Sequence, residues 1–270
     1  TGAWVFVVHS LTAEKPFIDI AMFRDRNFSM GLIFIFIIGI VLLASLALLP
    51  PLMQSLLGYP VITTGLVMAP RGVGTMISMI IVGRLVRIVD ARILVFVGLT
   101  LTAYSMHMMA DFSIIMSDWP FITSGVVQGL GMGLVFVPLS TLAFATLAPH
   151  YRTDGAGLFT AVRNVGSSIG ISVVSTVLAQ MTQVNHAEIG SLLTPFNRNV
   201  VNRAPGLLSA DPTTLAQISG EVTRQAAMIG YLDDFRLMMV VCLIAMPIIL
   251  LLRSPNQQAA GGASEQVVME

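Results

Sequence analysis

Two arginines stand inside stretches long enough to cross a bilayer: Arg71 in GLVMAPRGVGTMISMIIVG and Arg163 in GLFTAVRNVGSSIGISVVSTVL. A guanidinium at that depth is costly, and where it occurs it faces a bundle interior or a water-filled cavity rather than lipid. Its chemistry there is to hold an anionic group, or to tune a carboxylate by charge proximity. Helical spacing puts Gly74, Thr75 and Ser78 on the face of Arg71. Around Arg163, Thr160, Asn164, Ser168 and Ser175 form one stripe, with Ser167 and Gly170 beside it. With Gln128, the candidate cavity or coupling residues are Arg71, Thr75, Ser78, Gln128, Thr160, Arg163, Asn164 and Ser168. Gly125, Gly129, Gly133, Gly166 and Gly170 read instead as grooves for close helix approach. Pro70 and Pro138 each remove a helix hydrogen bond and are expected to bend or loosen their helices.

The elements that must position these residues are membrane helices. Hydrophobic residues make up 55% of the 270 and charged ones 10%, with a mean hydropathy of +0.85, well to the apolar side of a soluble domain. Apolar runs of bilayer length fall near 29–50, 63–86, 93–110, 120–147, 157–180 and 235–252. They predict an all-α membrane protein with six transmembrane helices, five over 29–180 and a sixth over 235–252. Residues 1–10 (TGAWVFVVHS) read as the end of a preceding transmembrane helix, and the chain as the later part of a longer one. Lys15, Arg24, Arg26, Arg84, Arg87, Arg92, Arg152 and Arg253 occupy one set of links, while 51–62 and 111–119 carry none. By the positive-inside rule, the linker 11–28, the links 84–92 and 148–156 and the tail 253–270, expected to be disordered, are cytoplasmic. The polar stretch 181–234 is then a long external loop.

Several function classes drop out. The formal net charge is zero, so no basic excess points to nucleic acid. His9, His107, His150 and His186 are scattered, and no HExxH, paired-cysteine or GxSxG pattern supplies a metal or catalytic site. The single Cys242 excludes a disulfide framework. The 17 methionines include Met68, Met76, Met79 and Met132, flexible side chains that suit a pocket for unlike apolar ligands as well as ordinary packing. What stays open is a transporter, a channel or binding bundle, or a non-transporting membrane scaffold.

The order of EKPFIDIAMFRDRNF, GLVMAPRGVGTM, GRLVRIVDAR, GLGMGLVFVPL and GLFTAVRNVGSSIGISV, followed by LLTPFNRNV and RQAAMIGYLDDF, resembles the C-terminal half of the fourteen-helix drug:proton antiporters of the major facilitator superfamily, the EmrB/QacA type. The resemblance runs through nearly the whole chain. It implies the C-terminal six-helix bundle of a transporter in the bacterial inner (plasma) membrane. That bundle rocks against a missing N-terminal half and exports amphiphilic drugs at the expense of a proton gradient, with no cofactor. Bile salts, fatty acids and siderophores are alternative cargoes on the same scaffold. The resemblance further implies that the long loop meets a periplasmic adaptor protein linked to an outer-membrane channel. It also implies that Gly83, Arg84, Asp90 and Arg92 match a gating loop, although Arg87 departs from the usual pattern. Read residue by residue, the six runs hold no Asp or Glu; Asp90, Asp111, Asp118, Asp154, Asp233 and Asp234 lie at their ends. The proton-binding carboxylate is therefore expected in the N-terminal half.

Overall fold

The computed structural model describes residues 20–193 and 212–249, and among them there is no strand. The N-terminal helix end (1–10), the first half of the linker 11–28, the middle of the external loop and the tail 253–270 lie outside the described residues.

A short 3₁₀ turn at Ile20–Arg24 leads into α1, Arg26–Pro51. Asp25 starts that helix: its carboxylate accepts from the Phe28 N–H at 2.9 Å and from Thr146 Oγ1 at 2.7 Å, which ties the start of α1 to the end of α4. At the other end Pro50 and Pro51 cannot donate to the helix ladder, and the chain continues as a π-helical turn at Leu52–Leu56. Gly58, at φ +72, turns the chain into Pro60 and α2, Val61–Leu85. The α3 helix spans Ala91–Ala110 and α4 spans Trp119–Ala145. Between α1 and α2 the Tyr59 hydroxyl donates to Asp118, and that hydrogen bond, with burial and the Asp118 charge adding to it, pushes the phenol up to about 12. A 3₁₀ turn at Pro149–Tyr151 opens α5, Arg152–Leu192, and α6 spans Pro212–Ile248.

In the bundle, α4 packs on α2 and α3 and also touches α1; α1 packs on α5, and α6 closes against α5 and α3. Two apolar clusters fill it. The outer one gathers Leu48, Met53, Phe112, Phe121, Phe235 and Cys242, and the inner one Phe28, Phe34, Ile38, Leu139, Leu142 and Phe159. Glycines set the closest approaches. A Cβ at Gly166 would strike the Phe36 backbone carbonyl, and one at Gly170 would lie 2.7 Å from the Ile40 Cα, so α5 lies directly on the α1 backbone.

Five of these helices, α1 with its π turn, α2, α3, α4 and α5 with the turn before it, are long and apolar enough to cross a membrane. The sixth differs from expectation. The stretch read as an external loop is helical over 181–192 and 212–234, and α6 runs without a break from there into the apolar segment. Polar density suggested a loop, but the polar side chains meet within the helix, Arg224 in an ion pair with Glu221 at 3.4 Å and Gln225 Nε2 donating to Glu221 at 2.9 Å, which supports a polar helix.

Candidate functional site

Arg71 lies on the buried face of α2 with 8% of its surface accessible, and what surrounds it is polar but uncharged. Its Nη2 donates to Ser45 Oγ on α1 at 3.3 Å. Gln128 Nε2 on α4 donates to the same oxygen at 3.0 Å, and the Ser45 hydroxyl donates to the Leu42 carbonyl at 2.9 Å. A hydroxyl has one proton and two acceptor sites, so Ser45 is saturated, with its proton on its own helix and both lone pairs taken by neighbours. With its one proton on Leu42, Ser45 can only accept from Gln128, so the amide nitrogen faces it.

What remains is a complementary pair: Arg71 Nη1 and Gln128 Oε1 are both buried and, among the described residues, both without a partner. One is a charged donor and the other a neutral acceptor, on adjacent helices. Packing produces this convergence. Gly129, next to Gln128, lets α4 reach α2 so closely that a Cβ there would collide with the Arg71 carbonyl and lie 2.9 Å from the Thr75 nitrogen. Ser78 Oγ donates to the Leu130 carbonyl at 2.7 Å and ties the same two helices one turn further on.

Other expected site residues are placed differently. Thr75 turns its hydroxyl onto the Arg71 carbonyl at 3.1 Å, so it belongs to the wall and not to the open pair. Arg163 does not join Arg71. It is half-buried on α5, its guanidinium 5.8 Å from the centre of the Phe136 ring, a cation–π contact with α4. Thr160, Asn164 and Ser168 are exposed on α5, with the Thr160 and Ser168 hydroxyls donating to the Ala156 and Asn164 carbonyls at 3.0 Å. At the link between α2 and α3, Gly83, Arg84 and Asp90 are exposed. The Asp90 carboxylate caps α3 by accepting from the Arg92 N–H at 3.0 Å, and among the described residues no ion pair joins it to Arg84 or Arg87.

Sequence reasoning missed two residues. Ser45 is the hub of the buried cluster, and its trace was a lone hydroxyl deep in an otherwise apolar helix. The second is Asp234, placed by sequence at the end of a span; it lies in the middle of the packed part of α6 with none of its surface accessible, and both carboxylate oxygens lack a partner among the described residues.

A helical bundle with buried polar side chains fits several membrane families, and comparison with known proteins decides between them. Residues 8–171 match the family model of the Major Facilitator Superfamily. The chain belongs to that superfamily. It is 28% identical over 260 residues to the fatty acid resistance protein FarB of Neisseria gonorrhoeae, covering 95% of this chain and 51% of that one. To the multidrug export protein EmrB of Escherichia coli K12 it is 26% identical over 266 residues, again 95% and 51%. The colistin resistance protein EmrB of Acinetobacter baumannii is 25% identical over 262 residues, 90% of this chain and 49% of that protein. The superfamily member described here thus spans about half the length of the relatives it matches, as expected for one half of an EmrB-type transporter. It is a multi-pass protein of the bacterial inner membrane and is related to efflux proteins that confer resistance.

Proposed function

We propose that the chain forms the C-terminal half of a proton-coupled exporter of amphiphilic, drug-like molecules working by alternating access. In this reading the Ser45–Arg71–Gln128 cluster is the polar station where the substrate's head group is held. The observation that carries it is the pair of unpartnered buried atoms, Arg71 Nη1 and Gln128 Oε1. A buried polar atom without a partner costs about 1–3 kcal/mol, more when charged, and a ligand offering one acceptor and one donor relieves both. The apolar tail of an amphiphile has methionine-rich surface to lie on, since Met76 and Met79 are exposed along α2.

A second reading of the cargo is supported by the uncompensated charge. A guanidinium with a free edge prefers an anionic head group, and one relative is named for fatty acid resistance. Binding of dodecanoate and of dodecyltrimethylammonium to the purified whole transporter separates the two. Replacing Arg71 by Met should weaken dodecanoate about tenfold or more, the worth of one charge-assisted hydrogen bond, and leave the cation unaffected. Equal affinities for dodecanoate in parent and variant remove Arg71 from head-group recognition.

The exposed Thr160, Asn164 and Ser168 stripe fits a second wall of the cavity, completed by the N-terminal half. The link carrying Gly83, Arg84, Asp90 and Arg92 would serve as the cytoplasmic gate. The helical extensions of α5 and α6 beyond the apolar core are where a periplasmic adaptor, and through it an outer-membrane channel, would dock.

A further inference from the structure

We propose that Asp234 is a proton-binding site within this half, which deepens and rests on the exporter reading. Its depth follows from two contacts. Arg224 Nε donates to the Leu56 carbonyl at 2.9 Å, which pins α6 to the outer end of α1. Asp234 lies ten residues further along, about 15 Å inward at 1.5 Å per residue. One turn before it, Gly230 faces α5, where a Cβ would meet Leu178 Cδ1 at 3.1 Å and Thr182 Oγ1 at 3.3 Å. The carboxyl group thus sits well below the outer surface, level with the middle of the outer core cluster, and is sealed from solvent.

Among the described residues no ion pair or hydrogen bond balances it. Asp233, its neighbour, turns outward and pairs with Arg236 at 3.1 Å, so the nearest cation is engaged on the opposite side of the helix. Among the elements packed on α6, α5 has no titratable side chain between Arg163 and His186. The α3 helix offers Tyr104 and His107, both exposed, beyond Arg92 at its start and Asp111 at its end. Neither α1 nor its π turn carries one beyond Arg26. On its own helix Asp234 has Tyr231, buried one turn earlier, and the outward Asp233. An ionised carboxylate here would have neither water nor a cation to offset its desolvation. The group therefore carries its proton in this conformation and gives it up when the α5–α6 seam opens to water. The exchange is COOH to COO⁻ plus a proton to that water, tied to the state of the bundle.

The test uses the full-length transporter in proteoliposomes. Infrared difference spectra between acidic and alkaline buffer should show a protonated carboxyl C=O band that disappears on alkalinisation, is missing from Asp234→Asn and shifts in frequency in Asp234→Glu. Export driven by a pH gradient should be lost in Asp234→Asn, while substrate counterflow at equal pH persists. A band unchanged in both variants, a band that never titrates, or full gradient-driven export by Asp234→Asn overturns the proposal. If Asp234→Asn does not fold, the frequency shift in Asp234→Glu decides alone. A parent without gradient-driven export but with a titrating band that Asp234→Asn abolishes would end the exporter reading and leave the proton site standing.

Discussion

Replacing Arg71 by Met should cost activity but not stability. The substitution keeps most of the side-chain volume, so little cavity term arises. It removes one hydrogen bond, the 3.3 Å contact to Ser45, worth about 1.5–3 kcal/mol at most for a charged donor. It also removes the burden of a guanidinium that is 8% accessible with one nitrogen unpartnered, and insertion scales put a charged residue at mid-membrane at about 2.5–3.5 kcal/mol. The two nearly cancel, leaving the variant between unchanged and about 2 kcal/mol more stable. Ser45 and Gln128 keep their mutual bond. The assay is thermal unfolding of the purified whole transporter in detergent, where 1 kcal/mol moves the midpoint by about 2–4 °C in a domain of 150–250 residues. The expected midpoint is unchanged or higher, so a fall of more than about 2 °C would refute the reasoning by showing that the arginine is a structural keystone.

Asp25→Ala removes a helix cap and the acceptor of Thr146, and should lower stability by about 1–2 kcal/mol, read as an earlier unfolding midpoint that Asp25→Asn partly restores. Gly129→Leu drives a side chain into the Arg71 carbonyl and the Thr75 nitrogen, which are backbone atoms that cannot yield locally; folded yield on size-exclusion chromatography should drop, as for overpacking of about 1–3 kcal/mol. Cysteines placed at Ser219, on the outer extension of α6, should react with an impermeant maleimide on intact cells, and cysteines at Arg87 should not; labelling at position 87 reverses the topology.

Helix number and placement were legible because each apolar run has bilayer length, and α1 to α4 begin and end within a few residues of those runs. Arg71 and Gln128 were legible as polar groups in apolar helices. Ser45 was not, because a serine in an apolar helix can satisfy itself on a carbonyl three residues back, as Ser45 does on Leu42. Only the approach of α2 and α4, set by Gly129, makes it a hub. Asp234 was misread for a related reason. Two acids followed by Arg236 look like an interfacial cluster, yet consecutive residues point about 100° apart on a helix, and only Asp233 reaches Arg236. Spacing likewise could not say that Arg163 turns to Phe136, since that depends on how α5 is rotated against α4.

The proposed exporter spends a proton gradient on moving amphiphiles past Arg71. Its most direct test is dye accumulation in proteoliposomes holding the full-length transporter inside-out, with an acidic lumen imposed. Uptake of a lipophilic dye should follow the gradient, collapse with a protonophore, and be absent from the folded Arg71→Met protein. Uptake that ignores the gradient, or that proceeds undiminished in Arg71→Met, would contradict the account.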